Sequence, residues 1–267
     1  MTTFTDDLGA DVVLPEPPRR VVSLVPALTE AVEHTMPGLV VGATDYCTHP
    51  PELDVPRVGG SKYPTADAAA QLHPDLVLAN AEENRPQDVQ ALREAGIAVW
   101  VMEAPATVPA ALASLRALLT GPFGMHIAGA ATPEEPVPAW LAEAERLWTS
   151  EPPPVRARAV VPVWRKPWVV LGRDTFGGDV LRRLGVDHVH ADADDRYPRP
   201  KLDELRLRFT DGDADLLVLP DEPWEFTDDD GPDAFPGVPY VLVSGRYLTW
   251  YGPSLVDAHR TLSAVLP

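Results

Sequence analysis

Cysteine is almost missing from this 267-residue chain, which has only Cys47. A single thiol excludes an intramolecular disulfide and any CxxC-type zinc or redox motif, and it leaves the redox compartment open. Positive charge is scarce as well: 22 Lys and Arg stand against 40 Asp and Glu, a formal net charge of −18. Such a surface repels phosphate backbones and anionic membranes, so no nucleic-acid partner is expected. No stretch of about 18 apolar residues occurs, and no membrane insertion is predicted. The opening segment, MTTFTDDLGADVVLPEPPRR, has neither a basic region nor the apolar region of a secretory signal, and on the sequence as it stands a cytoplasmic location is expected.

Proline, by contrast, is abundant at 31 residues, against a usual frequency of about 5%. Stiff connections are therefore expected rather than flexible linkers. Hydrophobic residues make up 45% of the chain, enough for a sizeable core at a length that suits two lobes.

Asp75 to Val101, DLVLANAEENRPQDVQALREAGIAVWV, reads as strand, loop, helix, strand. Leu76 to Ala79 form a short apolar run. Asn84 and Gln87 fit a capping box that would start a helix at Asn84, with Val89, Leu92 and Ala95 on its buried face. Gly96 stands where a left-handed C-cap is wanted, and Ile97 to Val101 is rich in strand formers. Glu82 and Glu83 fall at the strand's carboxyl end, where open α/β sheets meet ligands and partners.

The pattern extends in both directions. Val21 to Val25 reads as a strand leading into a helix at Ala27 to His34, Leu39 to Ala43 as a second strand, Thr65 as the cap of a helix ending near Leu72, and Val108 to Leu119 as a further helix. A second series comprises strands at Ala159 to Val163, Trp168 to Leu171, Asp215 to Leu219 and Tyr240 to Val243. Its helices fall near Thr175 to Leu184, at Asp203 to Arg208, and after Ser254. Strands alternating with helices in both halves predict an α/β protein with two parallel-sheet lobes. The expected division is an N-terminal lobe over 1–120, a connecting segment over 121–152 and a C-terminal lobe over 153–267. Leu141, Ala144, Leu147 and Trp148 share one face of a connecting helix, with Pro136 and Pro138 near its first turn, because an interior proline costs about 3 kcal/mol. DLVLANAEE in the first half echoes DLLVLPDEPW in the second: each ends a strand in carboxylates.

The segments RRVVSLVPALTEAV, VVGATDYCTHPPEL, PRVGGSKYPTADAAAQLHPDLVLA, EENRPQDVQALREAGIAVWV, YPRPKLDELRLR, DLLVLPDEPWEF and SGRYLTWYGPSL occur in an order that resembles the substrate-binding proteins of ABC importers for vitamin B12 and ferric siderophores. The resemblance spans roughly Arg19 to Leu266. It implies two α/β lobes bridged by one helix, little hinge motion, and a corrinoid, ferric siderophore or similar metal chelate held between the lobes. It also implies no catalysis and no covalently bound cofactor. Aromatic residues line the pocket in B12 binders of this family; Tyr46, Tyr197 and either Trp164 or Trp168 fall on matching positions. Ser61 and Asn80 stand where those receptors carry tryptophans, and Trp224, Trp250 and Tyr251 are candidate replacement surface. Lys166 and Arg165 are candidates to hold acidic substituents. In the same family a glutamate on each lobe docks with arginines of an ABC permease. Glu222 matches one of these, and Glu82 or Glu83 the other.

A competing reading is a cytoplasmic carrier or sensor of such a ligand, or a metal-assisted α/β hydrolase with Asp45 and His49 as ligands. Cys47 and His49 are spaced to turn to the same side of an extended loop but lack a third orienting group. The seven histidines give no HExxH spacing, although His188 and His190, followed by Asp192, Asp194 and Asp195, approach a cation-binding pattern. GGSK at Gly59 to Lys62 and GRDTFGGD at Gly172 to Asp179 each lack part of a P-loop.

Overall fold

The structure, a computed structural model, describes residues 1–124 and 137–267. The chain opens with a hairpin of β1 (Thr2–Thr5) and β2 (Asp11–Leu14). It continues through β3 (Val21–Ser23), α1 (Pro26–Thr35), β4 (Val40–Ala43), a two-residue pair β5 (Gly59–Gly60) and β6 (Tyr63–Pro64), α2 (Ala66–Gln71), β7 (Leu76–Asn80), α3 (Pro86–Glu94) and β8 (Val99–Met102). Helices α4 (Val108–Thr120) and α5 (Ala139–Trp148) follow. The remainder comprises β9 (Ala157–Val160), β10 (Pro162–Arg165), β11 (Trp168–Val170), α6 (Phe176–Arg183), β12 (Val186–His188), α7 (Leu202–Thr210), β13 (Leu216–Pro220), β14 (Tyr240–Val243), α8 (Gly245–Thr249) and α9 (Ser254–Val265).

Two compact units result, each assembled from several segments. One contains Met1–Ala104, Leu112–Glu143 and Tyr251–Pro253; the other contains Pro105–Ala111, Ala144–Trp250 and Ser254–Pro267. Each has its own parallel sheet of four strands, in the order β4-β3-β7-β8 in the first and β12-β9-β13-β14 in the second. All five residues of β7 are buried, as are all five of β13, which is why both read as continuous apolar runs. In the first unit α2 and α3 set Ala69, Val89 and Leu92 against Val22, Val77, Ala79, Val99 and Val101. In the second, Leu205 of α7 packs with Val160, Leu217, Leu219 and Phe235.

The sequence echo is a structural repeat. Asp75 accepts from the backbone N–H groups of Arg19 and Arg20 just ahead of β3, at 2.8 and 2.9 Å, while its own N–H donates to Arg20 O. Asp215 likewise accepts from the N–H of Arg158 on β9 at 3.1 Å and donates to Arg158 O. Six residues further on, the last ladder bonds run from Ala81 N to Met102 O and from Asp221 N to Val243 O. Ala81 thus corresponds to Asp221, and Glu82 to Glu222.

The opening hairpin, not anticipated from the sequence, closes the open edge of β8. The Asp6 carboxylate is buried and accepts from Leu8 N and Ala10 N within the hairpin, and from Val101 N and Arg93 Nη2 on the body of the unit. Asp7 accepts from Glu103 N. Unsatisfied strand-edge donors are thereby covered by side chains.

Several local expectations change. Helix α3 begins at Pro86, not Asn84, and no side chain caps it. Thr65 precedes α2 but makes no side-chain cap either. The strand anticipated over Ala159 to Val163 breaks in two, because Pro162 brings no N–H to the ladder and the chain leaves the sheet there for the β10–β11 hairpin. Gly96 does adopt the left-handed conformation, with φ 79°. Helix α5 covers Ala139–Trp148 with Leu141, Ala144 and Trp148 buried and Leu147 half-buried. Pro136 and His126 lie outside the described residues.

Candidate functional site

In parallel sheets the functional loops follow the carboxyl ends of the strands. In the first unit those loops carry Thr44 to His49 after β4, Ser61 and Lys62 between β5 and β6, and Ala81 to Arg85 after β7. Tyr46 is 64% exposed, and its ring lies over Gly60, where an added Cβ would stand 3.3 Å from Tyr46 Cε2. Ser61 is buried, its hydroxyl 3.4 Å from Thr44 Oγ1.

Asn80 is 2% exposed and its amide is fully engaged. Its Nδ2 donates to Tyr251 Oη at 2.9 Å and Glu103 O at 3.2 Å, while its Oδ1 accepts from the N–H groups of Glu82 and Glu83 at 2.8 and 3.3 Å. Two donors and two acceptor sites exhaust what a primary amide offers. Asn84, read from sequence as a helix cap, faces inward instead. Its Oδ1 accepts from Asn80 N at 2.8 Å and its Nδ2 donates to Ser61 O at 2.9 Å. These two asparagines set the path of the loop that bears Glu82 and Glu83.

Both glutamates are half-buried, and the Lys62 ammonium donates to the Glu82 carbonyl oxygen. Burial, with repulsion from Glu82, pushes the Glu83 carboxyl up to about 7, and Lys62 opposes the shift. Cys47 is a buried thiol between Thr29 Oγ1 at 3.0 Å and Thr44 Oγ1 at 3.2 Å; burial pushes it up, which is the opposite of an activated nucleophile.

In the second unit the aromatic residues separate by role. Trp164 is 39% exposed on the β10–β11 hairpin, edge-on to Trp224 with ring centroids 5.1 Å apart. Trp168 is half-buried, stacked on Phe226 at 6.2 Å and edge-on to Phe235 at 5.5 Å, so it is largely part of the core. Tyr197 is exposed, on a segment pressed against Gly172: a Cβ there would lie 2.2 Å from Asp195 O and 3.0 Å from Arg196 O.

Trp250 is buried and its indole hydrogen-bonds the Glu222 carboxylate. Glu222 is pushed up by burial and by Asp221, against the pull of Trp250 and Arg246. Its backbone passes so close to Gly245 that an added Cβ would meet Glu222 O at 2.6 Å.

Arg165 is engaged with Asp230 and, at 2.6 Å, with Asp233, and its guanidinium lies over the Trp168 ring at 5.6 Å. The Arg165 hydrogen bond holds the Asp233 carboxyl down at about 2. The cation expected to meet acidic ligand groups is thus already paired within the protein, while neighbouring Lys166 is exposed.

Asp45 is exposed, and His49 Nδ1 is 3.1 Å from Thr48 Oγ1. Among the described residues no group of three or more His, Cys, Asp or Glu side chains is placed to hold a metal ion. That applies to Asp45 with His49 and to His188 and His190 with the aspartates after them. Burial lowers His188, which sits against Gly178, and lowers His190 to about 4. No helix among the described residues is long and apolar enough to cross a membrane.

No family model matches the chain. Among curated proteins, the vitamin B12-binding protein of Vibrio cholerae serotype O1 is 22% identical over 196 residues, 73% of this chain and 69% of that protein. Among solved structures, a periplasmic heme-binding protein from Pseudomonas aeruginosa matches with TM-score 0.72 and 22% identity, over 94% of this chain and 95% of that one. The periplasmic vitamin B12-binding protein BtuF of Vibrio cholerae matches with TM-score 0.70 and 19% identity, over 94% and 97%. The periplasmic heme-binding protein RhuT of Roseiflexus sp. RS-1 matches with TM-score 0.70 and 19% identity, over 92% and 98%. The resemblance carried by the sequence motifs therefore extends to three dimensions: this chain has the two-unit, parallel-sheet fold of the periplasmic vitamin B12- and heme-binding proteins.

Proposed function

We propose that the protein is a non-enzymatic receptor for a metal chelate: a corrinoid, a heme or a ferric siderophore. The observation that carries this reading is the near-complete structural match to binding proteins named for vitamin B12 and for heme. Exposed rings at the carboxyl ends of the strands, Tyr46 in the first unit and Trp164 in the second, supply stacking surface at small entropic cost. Absorbance titration with cyanocobalamin, hemin and ferrichrome tests the reading; failure of all three to bind refutes it. Trp164→Ala should weaken the ligand that does bind by about 1–3 kcal/mol, on the scale of base–aromatic stacking. Unchanged affinity would remove Trp164 from the site. Trp168→Ala should lower thermal stability as well, because its ring is packed on Phe226 and Phe235.

The same reading includes a permease partner. The matched register of Glu82 and Glu222 supports these two as the docking carboxylates, each able to form directional pairs with arginine. Glu82→Gln with Glu222→Gln keeps an acceptor for the Trp250 indole while removing both charges. The expected result is unchanged chelate affinity with loss of capture by vesicles containing the permease; lost chelate affinity would place the pair in the ligand site instead. Cell fractionation bears on the partner directly, since an ABC permease meets its receptor outside the cytoplasm, and recovery with the cytoplasmic fraction would favour a soluble carrier.

A further inference from the structure

Glu82 is held at both ends of its backbone by side chains. Its N–H donates to Asn80 Oδ1 at 2.8 Å, and its carbonyl oxygen accepts from the Lys62 ammonium. Asn80 closes β7, whereas Lys62 lies 20 residues before Glu82, in the turn between β5 and β6. Beside that bond runs a second, from Asn84 Nδ2 to Ser61 O at 2.9 Å. Two consecutive residues of the β5–β6 turn thus clasp the turn that follows β7, at Glu82 and at Asn84. Glu222 in the second unit is set differently: the Gly245 N–H donates to the adjacent Asp221 carboxylate at 2.6 Å, and the backbone of Glu222 itself runs against Gly245.

We infer, resting on the docking reading above, that Lys62 is a positioning residue for the first unit's docking carboxylate. The ammonium pins the Glu82 carbonyl, which fixes the rotation of the peptide plane and hence the direction in which the Glu82 side chain leaves the backbone. An arginine–carboxylate pair is directional, so a carboxylate that leaves the turn at another angle pairs less well. Charge alone gives the opposite sign. An ammonium beside Glu82 repels an arginine of the partner, and removing it would tighten capture. The sign of the change therefore separates positioning from electrostatics.

Capture by membrane vesicles of the source organism should be compared for the native chain, Lys62→Met and Lys62→Arg, alongside affinity for whichever of hemin, cyanocobalamin and ferrichrome binds. Where none binds, capture alone decides. Lys62→Met should be captured less tightly by about tenfold or more, the scale of one charge-assisted hydrogen bond. Its chelate affinity should stay native, because Asn80 and Asn84 still hold the rest of the turn. Lys62→Arg should restore capture, since a guanidinium also donates to a carbonyl oxygen. Capture of Lys62→Met that equals or exceeds native, a Lys62→Arg chain captured no better than Lys62→Met, or a loss of chelate affinity in step with capture overturns the inference. If the native chain itself is not captured, the docking reading fails and takes this inference with it.

Discussion

Asp6→Ala should destabilise the first unit by about 3 kcal/mol, since it removes a buried carboxylate that accepts four hydrogen bonds, and a bond to a charged group is worth about 1.5–3 kcal/mol. The Asp6 side chain is fully buried and holds Arg93 at 3.0 Å. Its loss also strands the N–H of Val101 on the open edge of β8, and the N–H groups of Leu8 and Ala10 inside the hairpin. Chemical denaturation read by amide hydrogen exchange checks this, with protection expected to fall first at Val101, Leu8 and Ala10. Asp6→Asn should recover part of the loss, since an amide oxygen still accepts from the backbone. A change below about 1 kcal/mol, the usual worth of an exposed pair, would show that the hairpin contributes little.

Asn80→Ala should cost about 3 kcal/mol, because unsatisfied buried groups each cost about 1–3 kcal/mol. Tyr251 Oη loses its donor, and the turn carrying Glu82 and Glu83 loses the acceptor that shapes it. Thermal unfolding measures the stability term, and chelate titration under conditions where the variant remains folded measures the second. Affinity is expected to drop even though Asn80 itself is buried, because the turn that follows β7 is no longer held in place. A stable variant with native affinity would contradict both parts.

The central strands were legible in the sequence because their signal is local. Leu76–Asn80 and Leu216–Pro220 are unbroken apolar runs, and Asp75 and Asp215 begin matching motifs. The opening hairpin was not, since its decisive contact joins Asp6 to Arg93 and Val101, far along the chain. Asn84 misled for a related reason. Its position suited a helix cap, yet its amide is claimed by Asn80, Ser61 and Leu24, partners that local spacing cannot show.

Among the candidate site residues, burial was not legible in the sequence. Tyr46 and Trp164 are exposed, whereas Trp250 is tied to Glu222 and Arg165 to two aspartates. Which of Glu82 and Glu83 corresponds to Glu222 is set by hydrogen-bond register, which two adjacent identical residues conceal.

The paired aspartates ahead of β7 and β13 act as rulers. A β-strand that slides by one residue against its neighbour turns every side chain to the opposite face, and strands buried on both sides offer little polarity contrast to resist the slip. Asp75 accepts two successive backbone N–H groups, of Arg19 and Arg20, while donating its own N–H to Arg20 O. Only one alignment of β3 with β7 satisfies all three bonds. Asp215 gives β9 and β13 the same reference through Arg158. Misaligned pairings thus forfeit these bonds, and each carboxylate that follows these strands is delivered to its loop by counting from a fixed mark.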